Sequence, residues 1–158
     1  MYNSTSSTKF HLAIVGCGAI GGSLAGLLLD QQVTLTLVAH GPEQAALLNQ
    51  QGLLLSGTRG EKHCTVQAIG EVAELDRPLD YCLIAAKAYH LPDIATALLP
   101  HLRPDSLVCS LQNGMCGMAL ADIVGPKRAV DTVITWGATL TGPGHIRITA
   151  EGNLLLGM

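Results

Sequence analysis

A doubly wound α/β domain with a mostly parallel sheet is the fold class expected for this chain, on three grounds. The apolar run Leu12-Ala-Ile-Val15 leads straight into Gly16-x-Gly18-x-x-Gly21 and then a helix-forming stretch, in the order strand, tight turn, helix. Further along, short apolar runs alternate with helical ones in the manner of βαβ units. Composition agrees, because 48% hydrophobic, 13% charged and 3% aromatic residues describe a core of Leu, Ile, Val and Ala. Such a core suits strands buried on both faces. The arrangement is Rossmann-like, here with a β-rich C-terminal part.

At 158 residues one domain is expected, over residues 10–158, preceded by a polar, disordered leader over residues 1–9. The first strand falls at about residues 11–15 and its helix at about 20–31, where Gly22, Ala25 and Gly26 suit close packing on a sheet. Val33–Ala39 reads as the second strand. Gly41-Pro42 opens a helix, since proline fits a first turn, and Gly52 ends it. Residues 53–69 read as a hairpin around Gly57 to Gly60. Tyr81–Ala86 is a buried strand, Pro92–Leu99 a helix, Ser106–Leu111 a strand and Ala119–Val124 a short helix. From Ala129 onward strands and turns are expected, with turns at Gly142-Pro-Gly144 and Gly152-Asn153.

Several function classes are excluded. A net charge of -3 without a basic stripe argues against a nucleic-acid partner. The cysteines number 5, an odd set with no Cys-x-x-Cys pair, which points to a reducing, cytoplasmic compartment. The histidines show no zinc spacing, so no metal is expected. Phe10 to Leu29 lacks charge, yet the apolar stretch before Cys17 is only about six residues, too short for a signal core. Its glycines and Ser23 also make it a poor membrane span.

In an open α/β sheet, ligands bind beyond the carboxyl ends of the strands. Gly16 permits the turn, Gly18 lets backbone approach a pyrophosphate, and Gly21 lets the helix close on its strand. The helix N-terminus then offers free N–H groups to the phosphates. His40 ends the second strand, where an acid would hold the ribose of NAD and a cation the 2′-phosphate of NADP. No acid lies between Val33 and His40, which leans towards NADP and leaves NAD open. The plain alternative is a solvated loop histidine. Lys87 follows an apolar strand and is either a solvated strand end or a point charge for cofactor or a substrate carboxylate. Gln112-Asn113-Gly114 is either plain turn chemistry or a place where the Asn113 amide orients nicotinamide or substrate.

Taken together, Gly16-Cys-Gly-Ala-Ile-Gly21, Ala86-Lys87-Ala-Tyr89, Leu111-Gln-Asn113-Gly-Met115, Thr135-Trp-Gly-Ala138, Gly142-Pro-Gly144 and Gly152…Leu156-Gly157 resemble the ketopantoate reductase (2-dehydropantoate 2-reductase) family. That family is NADPH-dependent and serves pantothenate biosynthesis. The resemblance implies that Gly16, Cys17, Gly18, Ala19, Ile20 and Gly21 hold the pyrophosphate. It also implies that Lys87 and Asn113 contact the cofactor and line the reaction site, and that Ala138 adds a cofactor contact. His40 departs from the pattern, since the family often has arginine there. The family continues into a helical second domain that supplies the proton-donating lysine, a glutamate and most substrate contacts. The expectation is therefore the NADP-binding half of such an enzyme, acting on a small 2-keto acid. Reductase turnover by this half alone is not expected, because the reduced carbonyl oxygen needs a positioned acid. An apolar face left uncovered would favour a homodimer. Two alternatives stay open: the cofactor domain of a related 2-keto acid or polyol-phosphate dehydrogenase, and a nucleotide-sensing module without chemistry.

Overall fold

The computed structural model describes residues 9–29, 31–112 and 116–157. Eleven strands and four α-helices follow one another along the chain: β1 (Phe10–Val15), α1 (Ala19–Leu28), β2 (Val33–Val38), α2 (Pro42–Gln51), β3 (Leu53–Gly57), β4 (Lys62–Cys64), β5 (Ala68–Ile69), β6 (Leu79–Ile84), α3 (Leu91–Leu98), β7 (Leu102–Ser110), α4 (Cys116–Val124), β8 (Ala129–Ile134), β9 (Gly137–Gly142), β10 (His145–Ala150) and β11 (Leu154–Gly157).

The main sheet has the order β11-β8-β7-β6-β1-β2-β5. All its pairings are parallel except that of β11 with β8. Chain order thus reverses between β1 and β6, the switch point of a doubly wound sheet, where its crevice opens. Apolar side chains alternate across the sheet as a strand's two-residue period requires. Leu12 and Ile14 enter one core with α1 and α2, whereas Ala13 and Val15 enter the other with α3 and α4.

Two features depart from the sequence expectation. Residues 53–69 are not one hairpin. β3 and β4 pair antiparallel, but β5 leaves them and extends the main sheet beside β2. The reason lies in α2, where the Asn49 amide donates to the Ala68 carbonyl and accepts from the Ala68 N–H, both at 2.8 Å. That side chain satisfies the outer backbone groups of an edge strand. Second, the strands expected from Ala129 onward divide: β8 and β11 lengthen the main sheet, whereas β9 and β10 join β3 and β4 in a second sheet of order β4-β3-β10-β9, packed on the far side of α1. Gly152-Asn153, expected as a turn, instead returns the chain to the main sheet at β11. The Thr135 N–H donates to the Asn153 carbonyl at 3.0 Å where the outgoing and returning segments meet. Gly142-Pro-Gly144 does form the β9–β10 turn. Among the described residues, no helix is long and apolar enough to cross a membrane.

Candidate functional site

The ends of β1, β2 and β6 are drawn level by three backbone bonds. Gly16 N–H donates to Val38 O at 2.9 Å, Ala85 N–H to Val15 O at 2.8 Å, and Leu111 N–H to Ile84 O at 2.9 Å. Beyond them lies a cleft of about 670 Å³, within the size range of small-molecule and cofactor sites. Its walls come from Gly16, Gly18, Ala19 and Ile20 of the glycine turn, His40 after β2, Glu71 and Val72, and the segment Ala85 to Ile94.

The three glycines do different work. Gly16 has φ 106°, and a Cβ there would sit 2.8 Å from the Ala86 nitrogen. A side chain on Gly21 would collide with the Gly16 carbonyl oxygen. Both positions are closed by the protein itself. Gly18 is the reverse, because nothing lies within 4 Å of where its Cβ would stand. That open space faces the cleft at the N-cap of α1, whose first turn has no acidic residue and no side-chain cap. Unfilled N–H groups and the positive end of the helix dipole thus point at bare floor, a seat for a phosphate group. The residues present fit a dinucleotide.

Cys17 lies inside the turn but not on the cleft. Its Sγ contacts the Val38 carbonyl at 3.7 Å, and burial pushes the thiol up to about 12. It is a packing residue. Ser23, fully buried one turn on, donates to Ile20 O at 2.8 Å and accepts from the Trp136 indole N–H at 3.2 Å. The second sheet therefore grips the first turns of the phosphate-facing helix.

His40 and Lys87 are both exposed and both line the cleft. The His40 N–H donates to Gln44 Oε1 at 2.6 Å, which holds the loop against the start of α2. Lys87 begins the 3₁₀ turn Ala88–His90 that brings Tyr89 and His90 to the same wall. Asn113 lies outside the described residues. Ala138 is half-buried on β9 and is not part of the cleft wall.

Sequence reasoning missed three residues here. Gln112 Nε2 donates to the Ala86 carbonyl at 2.7 Å, tying the end of β7 to the backbone next to Lys87. Only its place at a strand end could have signalled that. Glu71 brings a carboxylate to the cleft, with its side chain engaged in a capping box with Glu74. His90 reaches the cleft from far along the chain. The absence of acids between Val33 and His40 did not reveal Glu71, because it comes from the β5 side.

Known proteins match this chain consistently. The sequence profile described as "Ketopantoate reductase PanE/ApbA" matches residues 12–158. A 2-dehydropantoate 2-reductase of Pyrococcus abyssi is 31% identical over 145 residues, covering 92% of this chain and 46% of its own length. The crystal structure of a PanE/ApbA family ketopantoate reductase from Ralstonia eutropha JMP134 superposes with a TM-score of 0.81 at 26% identity, covering 92% of this chain and 48% of that one. A D-mandelate dehydrogenase, solved with NADH and anilino(oxo)acetate, shares the fold at a TM-score of 0.80 and 23% identity, over 92% of this chain and 47% of that one. The chain thus spans about half the length of the relatives it matches.

Proposed function

This chain belongs to the ketopantoate reductase family, a family of oxidoreductases, and we propose that it is the NADPH-binding half of a 2-dehydropantoate 2-reductase of pantothenate biosynthesis. When bound, the dinucleotide supplies the hydride that reduces the ketone of a small 2-keto acid. The observation that carries this reading is the bare floor at Gly18 above the uncapped N-terminus of α1. A doubly wound sheet offers its phosphate site at this switch point.

The chain's own residues divide the ligand between them. The backbone from Gly16 to Gly21 receives the pyrophosphate. His40, at the end of β2, faces the adenosine ribose and its 2′-phosphate. Lys87 stands on the wall formed after β6, and Gln112 fixes the backbone beside it. An ammonium there sits where it can meet the cofactor or the carboxylate of a keto acid. We assign Asn113 to the nicotinamide end, and Ala138, outside the cleft wall of the nucleotide-free chain, to a further cofactor contact. Protonation of the nascent alkoxide calls for a further acid, so this half binds cofactor without turning over. A cytoplasmic setting fits the five free thiols.

Two substitutions separate ligand binding from folding. Gly18→Val puts a branched side chain in the phosphate seat, and its Cβ has no protein atom within 4 Å. It should weaken NADPH at least tenfold, measured by nucleotide fluorescence, and lower the melting temperature of the nucleotide-free chain by no more than about 4 °C, the cost of a poorer N-cap residue. Gly21→Ala drives a methyl group into the Gly16 carbonyl and should destabilise the fold itself by about 2 kcal/mol or more. Unchanged NADPH affinity in Gly18→Val would remove the glycine turn from the binding site and end this assignment.

A further inference from the structure

We propose that His90 acts with His40 as a two-imidazole seat for the 2′-phosphate of NADPH, making His90 a residue that sets cofactor preference. The inference rests on the dinucleotide reading above and goes beyond it in assigning a specificity residue.

The two histidines come from different strand ends. His40 follows β2, whereas His90 arrives after β6 on the 3₁₀ turn. Their ring centroids are 6.5 Å apart, inclined at 44°, and both rings border the cleft. At that separation a phosphate between them can accept from a nitrogen of each ring at about 2.8 Å. Neither ring nitrogen has a hydrogen-bond partner among the described residues. The main-chain N–H of each is engaged, His40 with the Gln44 side chain and His90 with the Lys87 carbonyl at 2.9 Å. The His90 ring contacts the exposed Tyr89 ring, whose centroid lies 4.3 Å away at 50°. Two oriented imidazoles with unused nitrogens at the adenosine end of a dinucleotide cleft form an anion seat.

The other charged groups of the cleft set its balance. Lys87 adds a positive charge, Glu71 and Asp93 add negative ones, and Tyr89 is neutral. With two acids opposed to one lysine, an incoming phosphate depends on the imidazole N–H groups as well as on Lys87.

Titration of the chain with NADPH and with NADH, each followed by nicotinamide fluorescence, tests the proposal. His90→Ala should weaken NADPH about tenfold and leave NADH within about twofold. His90→Arg places a guanidinium donor at the position and should retain the preference. It also covers the case in which His90→Ala fails to fold. An affinity ratio unmoved by His90→Ala, or lost in His90→Arg, overturns the proposal while leaving dinucleotide binding intact. Failure of the unsubstituted chain to bind either nucleotide overturns the parent reading, and this inference with it.

Discussion

A cysteine next to a helix N-terminus commonly has a depressed pKa and becomes a reactive thiolate. Cys17 occupies such a place by sequence, between two glycines of the turn. The structure reverses that inference. The side chain points inward against the Val38 carbonyl, away from the helix end, and burial raises its pKa to about 12. At pH 8 only about one such thiol in ten thousand is ionised. Burial also raises Cys109, to about 11, and Cys82 in the core of β6. Cys116, at the start of α4, is half-exposed. Native protein treated with iodoacetamide should therefore label first at Cys116 and leave Cys17 intact for hours, with all five reacting only after denaturation. Peptide mapping decides this, and early alkylation of Cys17 under native conditions would show that the turn opens. Of the three glycines in this loop, Gly18 is the one with open space where a Cβ would stand, and it is the one to which our proposal assigns the ligand's approach.

Helix α1 links the glycine turn to the rest of the molecule. Gly21, Gly22, Ser23, Leu24, Ala25 and Gly26 are all buried, because the helix has a sheet on each side. Small residues permit that double approach, with Ile146 and Leu55 of the second sheet occupying the space beside Gly22 and Gly26. One polar stitch across this interface is the indole N–H of Trp136 to Ser23, and another is the Lys62 ammonium, which donates to the Gly26 carbonyl at 2.9 Å. Trp136→Phe should cost about 1 kcal/mol, read as a lower urea midpoint at constant slope. In combination with Ser23→Ala the losses should fall short of additive, since both delete the same bond. Strict additivity would place the stabilisation elsewhere. The same helix shows where the sequence was legible. Apolar runs, a glycine turn, Pro42 and Gly52 announce themselves locally, so β1, α1, β2, α2, β6 and β7 could be read within a few residues. What lay hidden was pairing. Nothing in Leu53 to Gly57 states that its parallel partner is His145 to Ala150, nor that Ala68 and Ile69 join another sheet. At the site, Gly18, His40 and Lys87 follow from position at a strand end, whereas Glu71 and His90 depend on folding distant segments onto one wall.

At the scale of the molecule, the cleft is bordered by the ends of strands that belong to both cores. Val15 serves one core and Cys17 the other, and His40, Glu71 and Lys87 hang from three separate strand connections. A ligand spanning that crevice binds the folded chain and has no comparable seat on the unfolded one, so it must stabilise the whole by mass action. With NADPH at about one hundred times its dissociation constant, the gain is about 2.7 kcal/mol. For a domain of this size each kcal/mol moves the melting temperature by about 2–4 °C, so a rise of about 5–10 °C is expected. The rise should grow with the logarithm of nucleotide concentration once the site is filled. Gly18→Val should abolish most of it at the same NADPH concentration, each rise being taken from that variant's own nucleotide-free melting temperature. Differential scanning calorimetry over a range of NADPH concentrations measures both. A melting temperature indifferent to millimolar NADPH would mean that this crevice, despite its architecture, holds no dinucleotide.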